Sequence, residues 1–244
     1  MKKILTIALL LIAINAQGQG LPVAANATLA SLFPDENLRR VVAEVLGPNA
    51  GLTGQRLSDE LAGIEALSTS GYERTREERI SNADGIGYLI GLTELDLRSH
   101  RLTRIDVSNL TNLVYLTLSG NNLTILNVSN LTNLIFLNVA GNALTTLDVS
   151  NLANLSTRLD VSWNALTTLD VSNLINLSDL DVDGNPLTTL DISKLVNLIS
   201  INVSRTQLAT LDIRNNTQLV YLILEYGALT TNDIVGYHEN LLGG

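Results

Sequence analysis

The sequence predicts a solenoid of short parallel strands, stacked turn upon turn and entered through a helical segment. Three observations carry this. Leucine supplies 49 of 244 residues while Phe, Trp and Tyr together make only 4%, so the core is aliphatic and repetitive instead of assembled from mixed shapes. The leucines recur: Leu92, Leu113, Leu134, Leu155, Leu177, Leu198 and Leu219 open successive units at intervals of 21, with a single interval of 22 between Leu155 and Leu177. Within a unit, apolar and polar residues alternate, as around Leu137 and Val139, which is the period of a short strand with one face buried.

The elements follow in chain order. Residues 1–20 read as an export signal and processing region. Lys2 and Lys3 are followed by the apolar run Ile4 to Ile14 and by small or polar residues, with cleavage expected after Ala16 and Gly18 and Gly20 as alternatives. As a helix the run would span about 16 Å, too short for a membrane anchor. Residues 21–91 hold a helix that opens at Phe33, Pro34, Asp35 and Glu36, carries Leu38, Val41, Val42, Val45 and Leu46 on one face, and stops at Gly47. The mixed-charge stretch from Gly71 to Arg79 is either a solvated excursion or a basic docking knob. Residues 92–230 hold the seven repeats, the extra residue falling within Ser156, Thr157 and Arg158. In each unit the strand is followed by a turn with an Asn, an inward Leu, a second extended piece such as Leu147 to Val149, and another turn. One unit buries too few side chains to offset the entropy of ordering its backbone, so the units must stack. Residues 231–244 are a C-terminal tail or a short capping helix around Ile234, Tyr237 and Leu241.

The spacing of Leu113, Leu116, Leu118, Asn121 and Leu123 resembles the leucine-rich-repeat family, specifically its secreted bacterial kinds. The helix from Phe33 to Leu46, with Asp84 to Leu89 as a degenerate half-turn, resembles the N-terminal cap of internalin-type proteins, although the repeats here are 21 residues instead of the internalin 22. The resemblance implies a right-handed leucine-rich-repeat solenoid, with its strands on a concave face, few helices and an α-helical N-terminal cap. It also implies that Asn121, Asn142, Asn164 and Asn185 point inward as a ladder of amides, fraying at His100, Thr206 and Gly227.

In such a fold the residues between the inward leucines face outward, in columns about 4.8 Å apart from strand to strand. One column reads Glu94, Tyr115, Phe136, Arg158, Asp179, Ser200, Tyr221. The row Tyr115, Phe136, Arg158 and Asp179, with Trp163 and Asp160 nearby and Asp181 and Asp183 beyond, is either a recognition patch or a cross-strand ladder that steadies the sheet. Asp179, Asp181 and Asp183 imitate the start of a calcium loop, yet Leu190 stands where its bidentate Glu belongs; the strand's alternation explains their spacing, and no metal or other cofactor is expected. Asp106, Asn127, Asp148, Asp170, Asp191 and Asp212 read as turn formers. The recurrent Asn-x-Ser/Thr triplets, such as those at Asn109 and Asn130, follow from the repeat.

The composition leans away from catalysis. There is no cysteine, and of the two histidines, His100 falls in the inward Asn column despite Asp96 and Ser99 nearby, while His238 lies in the tail. The net charge of −9 becomes −11 once Lys2 and Lys3 are removed, which repels nucleic acid and anionic membranes and attracts basic partners. The reading is an exported, monomeric, non-enzymatic module that binds a protein or glycan through its concave face, possible roles including adhesion; the alternative is a structural spacer or surface-layer element without a ligand.

Overall fold

The computed structural model describes residues 20–69, 75 and 77–236. The export segment therefore lies outside the described residues, as do most of the stretch from Gly71 to Arg76 and the tail residues Tyr237, His238 and Leu241.

Among the described residues three α-helices precede the repeats: α1 (Leu29–Leu32), α2 (Glu36–Leu46) and α3 (Gly54–Ala62). Asp35 caps α2 by accepting from the backbone N–H groups of Asn37 and Leu38 through one carboxylate oxygen. Its other oxygen accepts from the backbone of Ser81 and Asn82 and from the Ser81 hydroxyl, so one side chain both starts the helix and pins it to the first turn of the solenoid. Burial would raise the Asp35 carboxyl, but the bonds from Ser81, Leu38 and Asn82 outweigh it and hold the group below its ordinary value. Leu38, Val42 and Leu46 form the buried stripe of α2, and Gly47 ends the helix at φ 54°. Val45 corrects the expected face: it is 49% exposed, because the buried stripe follows the i, i+4, i+8 line and leaves Val45 at its edge. The repeat pattern does not announce α3, which buries Leu57 and Leu61, nor the strand that follows it.

That strand is β1 (Ala66–Ser68), and it begins an eight-stranded parallel sheet one turn earlier than the leucine spacing implies. The sheet continues through β2 (Glu94–Asp96), β3 (Tyr115–Thr117), β4 (Phe136–Asn138), β5 (Arg158–Asp160), β6 (Asp179–Asp181), β7 (Ser200–Asn202) and β9 (Tyr221–Ile223). Each strand is three residues long, and Leu67, Leu95, Leu116, Leu137, Leu159, Leu180, Ile201 and Leu222 stand in register at the centre. All eight are buried, within one continuous hydrophobic core that runs from Leu29 to Ile234. The extra residue is absorbed before β5: the N–H groups of Ser156 and Thr157 both donate to the Ile135 carbonyl, and Phe136 still pairs with Arg158.

Away from this sheet, backbone pairing gives way to side chains. Among the described residues, only β8 (Leu211–Asp212) finds a strand partner there, in β10 (Ile234–Val235). Of the C-terminal segment, Thr231–Asp233 makes a single 3-10 turn and Ile234–Val235 then extend the solenoid as β10; residues 237–244 lie outside the described residues. In the other turns, amides bridge successive coils. The Nδ2 groups of Asn130, Asn151, Asn173 and Asn215 donate to the carbonyls of Ser108, Ser129, Ser150 and Ser193. Those of Asn112, Asn133, Asn154, Asn176 and Asn197 donate to Ile90, Thr111, Thr132, Ala153 and Ile175. The nitrogen that a glycan would use at Asn130 is thus already part of the fold. Beside these ladders, Asp106, Asn127, Asp148, Asp170, Asp191 and Asp212 each accept the N–H two residues on. Bonds from Ser108 hold Asp106 below the usual carboxylate range, and the Arg214 side chain and backbone draw Asp212 down to about 2.

A further ladder runs under the sheet. The Oδ1 atoms of Asn121, Asn142, Asn164 and Asn185 accept from the N–H groups of Leu102, Leu123, Leu144 and Leu166 in the preceding turn, at 2.9–3.0 Å. Their Nδ2 atoms donate both to a carbonyl of their own turn and to one of the turn before. His100 does not break this line: its Nδ1 accepts from Ile80 N–H at 3.1 Å, supplying the acceptor an Asn would provide. Thr206 keeps only the donor half, bonding to Val203 O at 2.7 Å, and Gly227 has no side chain to offer. The ladder therefore thins at its C-terminal end alone.

Candidate functional site

The sheet register places Glu94, Tyr115, Phe136, Arg158, Asp179, Ser200 and Tyr221 side by side, one per strand. Their side chains separate into groups that the column order alone does not reveal.

At the N-terminal end, Tyr115 and Phe136 pack with ring centroids 6.2 Å apart and planes tilted by 40°. Together with Glu94, Asp96, Arg98 and Thr117 they line a shallow concavity of about 330 Å³. Asp96 is buried and committed: the Arg98 guanidinium reaches it at 2.7 Å and 2.9 Å, and the Arg98 backbone N–H reaches it at 3.1 Å. Among the described residues Glu94 has no ion-pair partner.

In the middle of the sheet, Arg158 turns toward carboxylates. Its Nη1 lies 2.9 Å from Asp179, and its Nη2 lies 3.1 Å from both Asp160 and Asp181. Asp160 also accepts from Asn138 Nδ2 and from the Ser162 backbone and hydroxyl. Burial pushes the Asp179 carboxyl up, with Arg158 opposing it. Burial and then the neighbouring Asp160 charge push Asp181 up as well. Desolvation would lower the Arg158 guanidinium, but Asp179, Asp160 and Asp181 together raise it. Asp183 faces a different cation, Arg205, whose Nη1 touches both of its oxygens at 3.0 Å. The acidic trio Asp179, Asp181 and Asp183 is therefore divided between two arginines. Among the described residues no group of three or more His, Asp or Glu side chains is arranged to hold a metal.

Trp163 stands apart from this row. It occupies the turn after β5, in a column whose members all have left-handed backbone: Ser99, Gly120, Gly141, Trp163, Gly184, Arg205 and Tyr226, with φ from 51° to 67°. Glycine adopts this conformation freely and bulky residues do not. The three large residues compensate by stacking. The Arg205 guanidinium carbon sits 5.2 Å from the Trp163 ring centre and 4.8 Å from that of Tyr226, in cation–π contact with both. Arg205 and Tyr226 are absent from the row read off the sequence. The signal that could have found them is large side chains at a repeat position otherwise held by glycine or serine.

Gly184 makes the stack possible, because a Cβ there would lie 3.1 Å from Trp163 Cδ2 at a φ of +67°. Gly184→Ala should lose about 1–2 kcal/mol through the left-handed backbone alone, and it should shift the fluorescence of Trp163, the one tryptophan in the chain. An unchanged spectrum with unchanged urea midpoint would contradict the packing described.

Comparison with known proteins bears on these features. A family model described as Leucine Rich Repeat matches residues 112–134, and one described as LVIVD repeat matches residues 136–161. No curated protein matches the sequence. Among solved structures, an internalin of Listeria monocytogenes is 26% identical with a TM-score of 0.70, over 83% of this chain and 59% of that one. A leucine-rich-repeat protein of Leptospira interrogans is 26% identical with a TM-score of 0.61, over 73% of this chain and 47% of that one. Internalin C2 of Listeria monocytogenes, at 21% identity and a TM-score of 0.73 over 91% and 98% of the two chains, shares the fold. The chain spans 59% and 47% of the first two proteins' lengths. It has the fold of bacterial leucine-rich-repeat proteins: a parallel-strand solenoid with an N-terminal helical cap, an architecture suited to a protein-binding module.

Proposed function

We propose that this protein is an exported, non-catalytic binding module that recognises a protein or glycan partner through the concave strand face, in a role such as adhesion. The observation that carries the reading is the Tyr115–Phe136 ring pair, set beside Glu94 in a concavity on the strand face. Tyr115 is 44% exposed, and exposed aromatic side chains on a rigid sheet are efficient anchors. The basic and apolar run of residues 2–14 supports export, and no described helix is long and apolar enough to cross a membrane. A non-catalytic role is supported by His100, which is 2% exposed and engaged through both ring nitrogens, with Ile80 N–H and the Thr69 hydroxyl.

The test is capture from extracts of the host or the surrounding community, followed by a measured Kd for the captured partner. Tyr115→Ala/Phe136→Ala should fold with the same circular dichroism and lose at least about tenfold in affinity, the combined weight of two interface aromatics. Equal affinity in the double variant would sink the concave-face reading and leave the solenoid as a structural spacer.

A further inference from the structure

We propose that the concavity over β2, β3 and β4 receives a cationic side chain, an arginine or lysine carried on an exposed segment of a basic protein partner. This rests on the concave-face reading above and narrows it to one ligand chemistry. The geometry and the charge distribution agree on it. Aromatic ring faces carry negative potential and attract cations, and two of them, Tyr115 and Phe136, line the site. Glu94 stands in the same column one strand away, so its carboxylate is placed to meet a cation lying over the rings. A cavity of about 330 Å³ lies at the small end of ligand sites and suits one long side chain rather than an extended ligand.

Charge pairing singles out this position. The other outward carboxylates of the strand face, from β2 to the turn after β6, each bond an arginine of the chain: Asp96 to Arg98, Asp160, Asp179 and Asp181 to the single Arg158, and Asp183 to Arg205. Glu94 is the exception among them. A cation entering here meets a carboxylate that bonds no arginine and stands beside two rings; β5 and β6 hold three acids to the one Arg158 and so keep a net negative charge, but a cation there must share oxygens already bonded to that guanidinium. An anionic ligand would be repelled by Glu94 and by the chain's net charge of −9. A neutral sugar could stack on the rings, but it would gain nothing from the Glu94 charge and nothing from Arg98, which is spent on Asp96.

The experiment titrates the isotope-labelled full chain with a blocked acetyl-Gly-Arg-Gly-amide peptide and, separately, with its citrulline counterpart, which keeps the shape and removes the charge. The expected result is saturable amide shifts confined to the turns of Glu94, Tyr115 and Phe136. They should weaken at least about fivefold in Glu94→Gln and in 0.5 M salt, and be largely lost with citrulline, as a charge-assisted contact requires. The proposal is overturned if the two peptides bind alike, if Glu94→Gln binds as wild type does, or if the shifts fall on Asp160 to Asp183. A natural partner lost by Tyr115→Ala/Phe136→Ala but held unchanged by Glu94→Gln would separate the two ideas: the concave face would stand as the binding site and the cation reading would fail.

Discussion

Asn185→Leu should lose about 3–6 kcal/mol of unfolding free energy, although leucine is the residue this fold uses most. Asn185 is 1% exposed. Its Oδ1 accepts from Leu166 N–H at 3.0 Å, and its Nδ2 donates to Val161 O at 3.0 Å and Val182 O at 3.1 Å. Leucine fills the same volume but strands the buried Leu166 N–H and the buried Val182 carbonyl, each worth ~1–3 kcal/mol when left unmade, and it leaves the Val161 carbonyl with Asn164 Nδ2 as its remaining side-chain donor. Asn185→Asp gives the complementary result. An ionised carboxylate keeps the acceptor for Leu166 and turns a negative charge toward two carbonyls, so its loss at pH 7 should exceed that of the protonated acid. Stability should recover as the pH falls, because the introduced carboxyl's folded-state pKa is raised and protonation restores one donor. Urea unfolding at pH 7 and pH 4 checks both variants. A loss under 1 kcal/mol for Asn185→Leu would mean that the amide ladder does not hold adjacent turns together.

Arg158→Met should lose about 2–3 kcal/mol at neutral pH, and the loss should shrink in acid. Removing the guanidinium leaves Asp160, Asp179 and Asp181 adjacent, with side chains 10%, 31% and 17% exposed. Breaking a fully buried pair costs roughly 3–5 kcal/mol, and the partial exposure of Asp179 and of Arg158 itself reduces that figure. The direction with pH follows from the carboxyls already pushed up, Asp179 and Asp181. A carboxyl whose folded pKa is raised destabilises the fold above that pKa, and the penalty fades as the pH falls through it toward the ordinary value of 3.8. Without Arg158 both pKa values rise further and the window widens upward. Urea midpoints from pH 4 to pH 8 should converge with wild type at the acid end, and Asp179→Asn/Asp181→Asn should rescue the variant at pH 7. A pH-independent loss would assign Arg158 a packing role instead. Wild-type protein should show no thermal shift with Ca²⁺, since Asp179 and Asp181 already share Arg158 and Asp183 holds Arg205.

Much of the site is legible in the columns because strand side chains alternate faces without exception over three residues. Glu94, Tyr115 and Phe136 could be listed as neighbours before any fold was known, and the sheet register agrees. What the columns hide is the choice each long side chain makes among its neighbours. Arg158 sits between Phe136 and Asp179 in its column, equally placed to cover a ring or to pair with an acid; it pairs with the acids, because an ion pair in a partly desolvated site outweighs a cation–ring contact. Trp163 is close to that row in sequence, yet it stacks with Arg205 across two turns, because Gly184 leaves the intervening space empty. Cap elements were legible where a capping residue and a glycine bracket an apolar stripe, as in α2, and silent where the chain departs from both repeat and stripe, as in β1.

The sequence by itself determined the solenoid, its period, its inward residues and the columns of its exposed face. Each follows from short-range rules: alternation in strands, and burial of leucine at fixed intervals that only stacking can satisfy. The tertiary structure decided the rest: where the sheet begins, that β8 and β10 pair in a second sheet, and which carboxylates already have partners. Those outcomes depend on distances between side chains some twenty residues apart, where rotamer and charge compete and spacing cannot rank the contenders. That competition leaves Glu94, among the acids from β2 to the turn after β6, without a partner of its own.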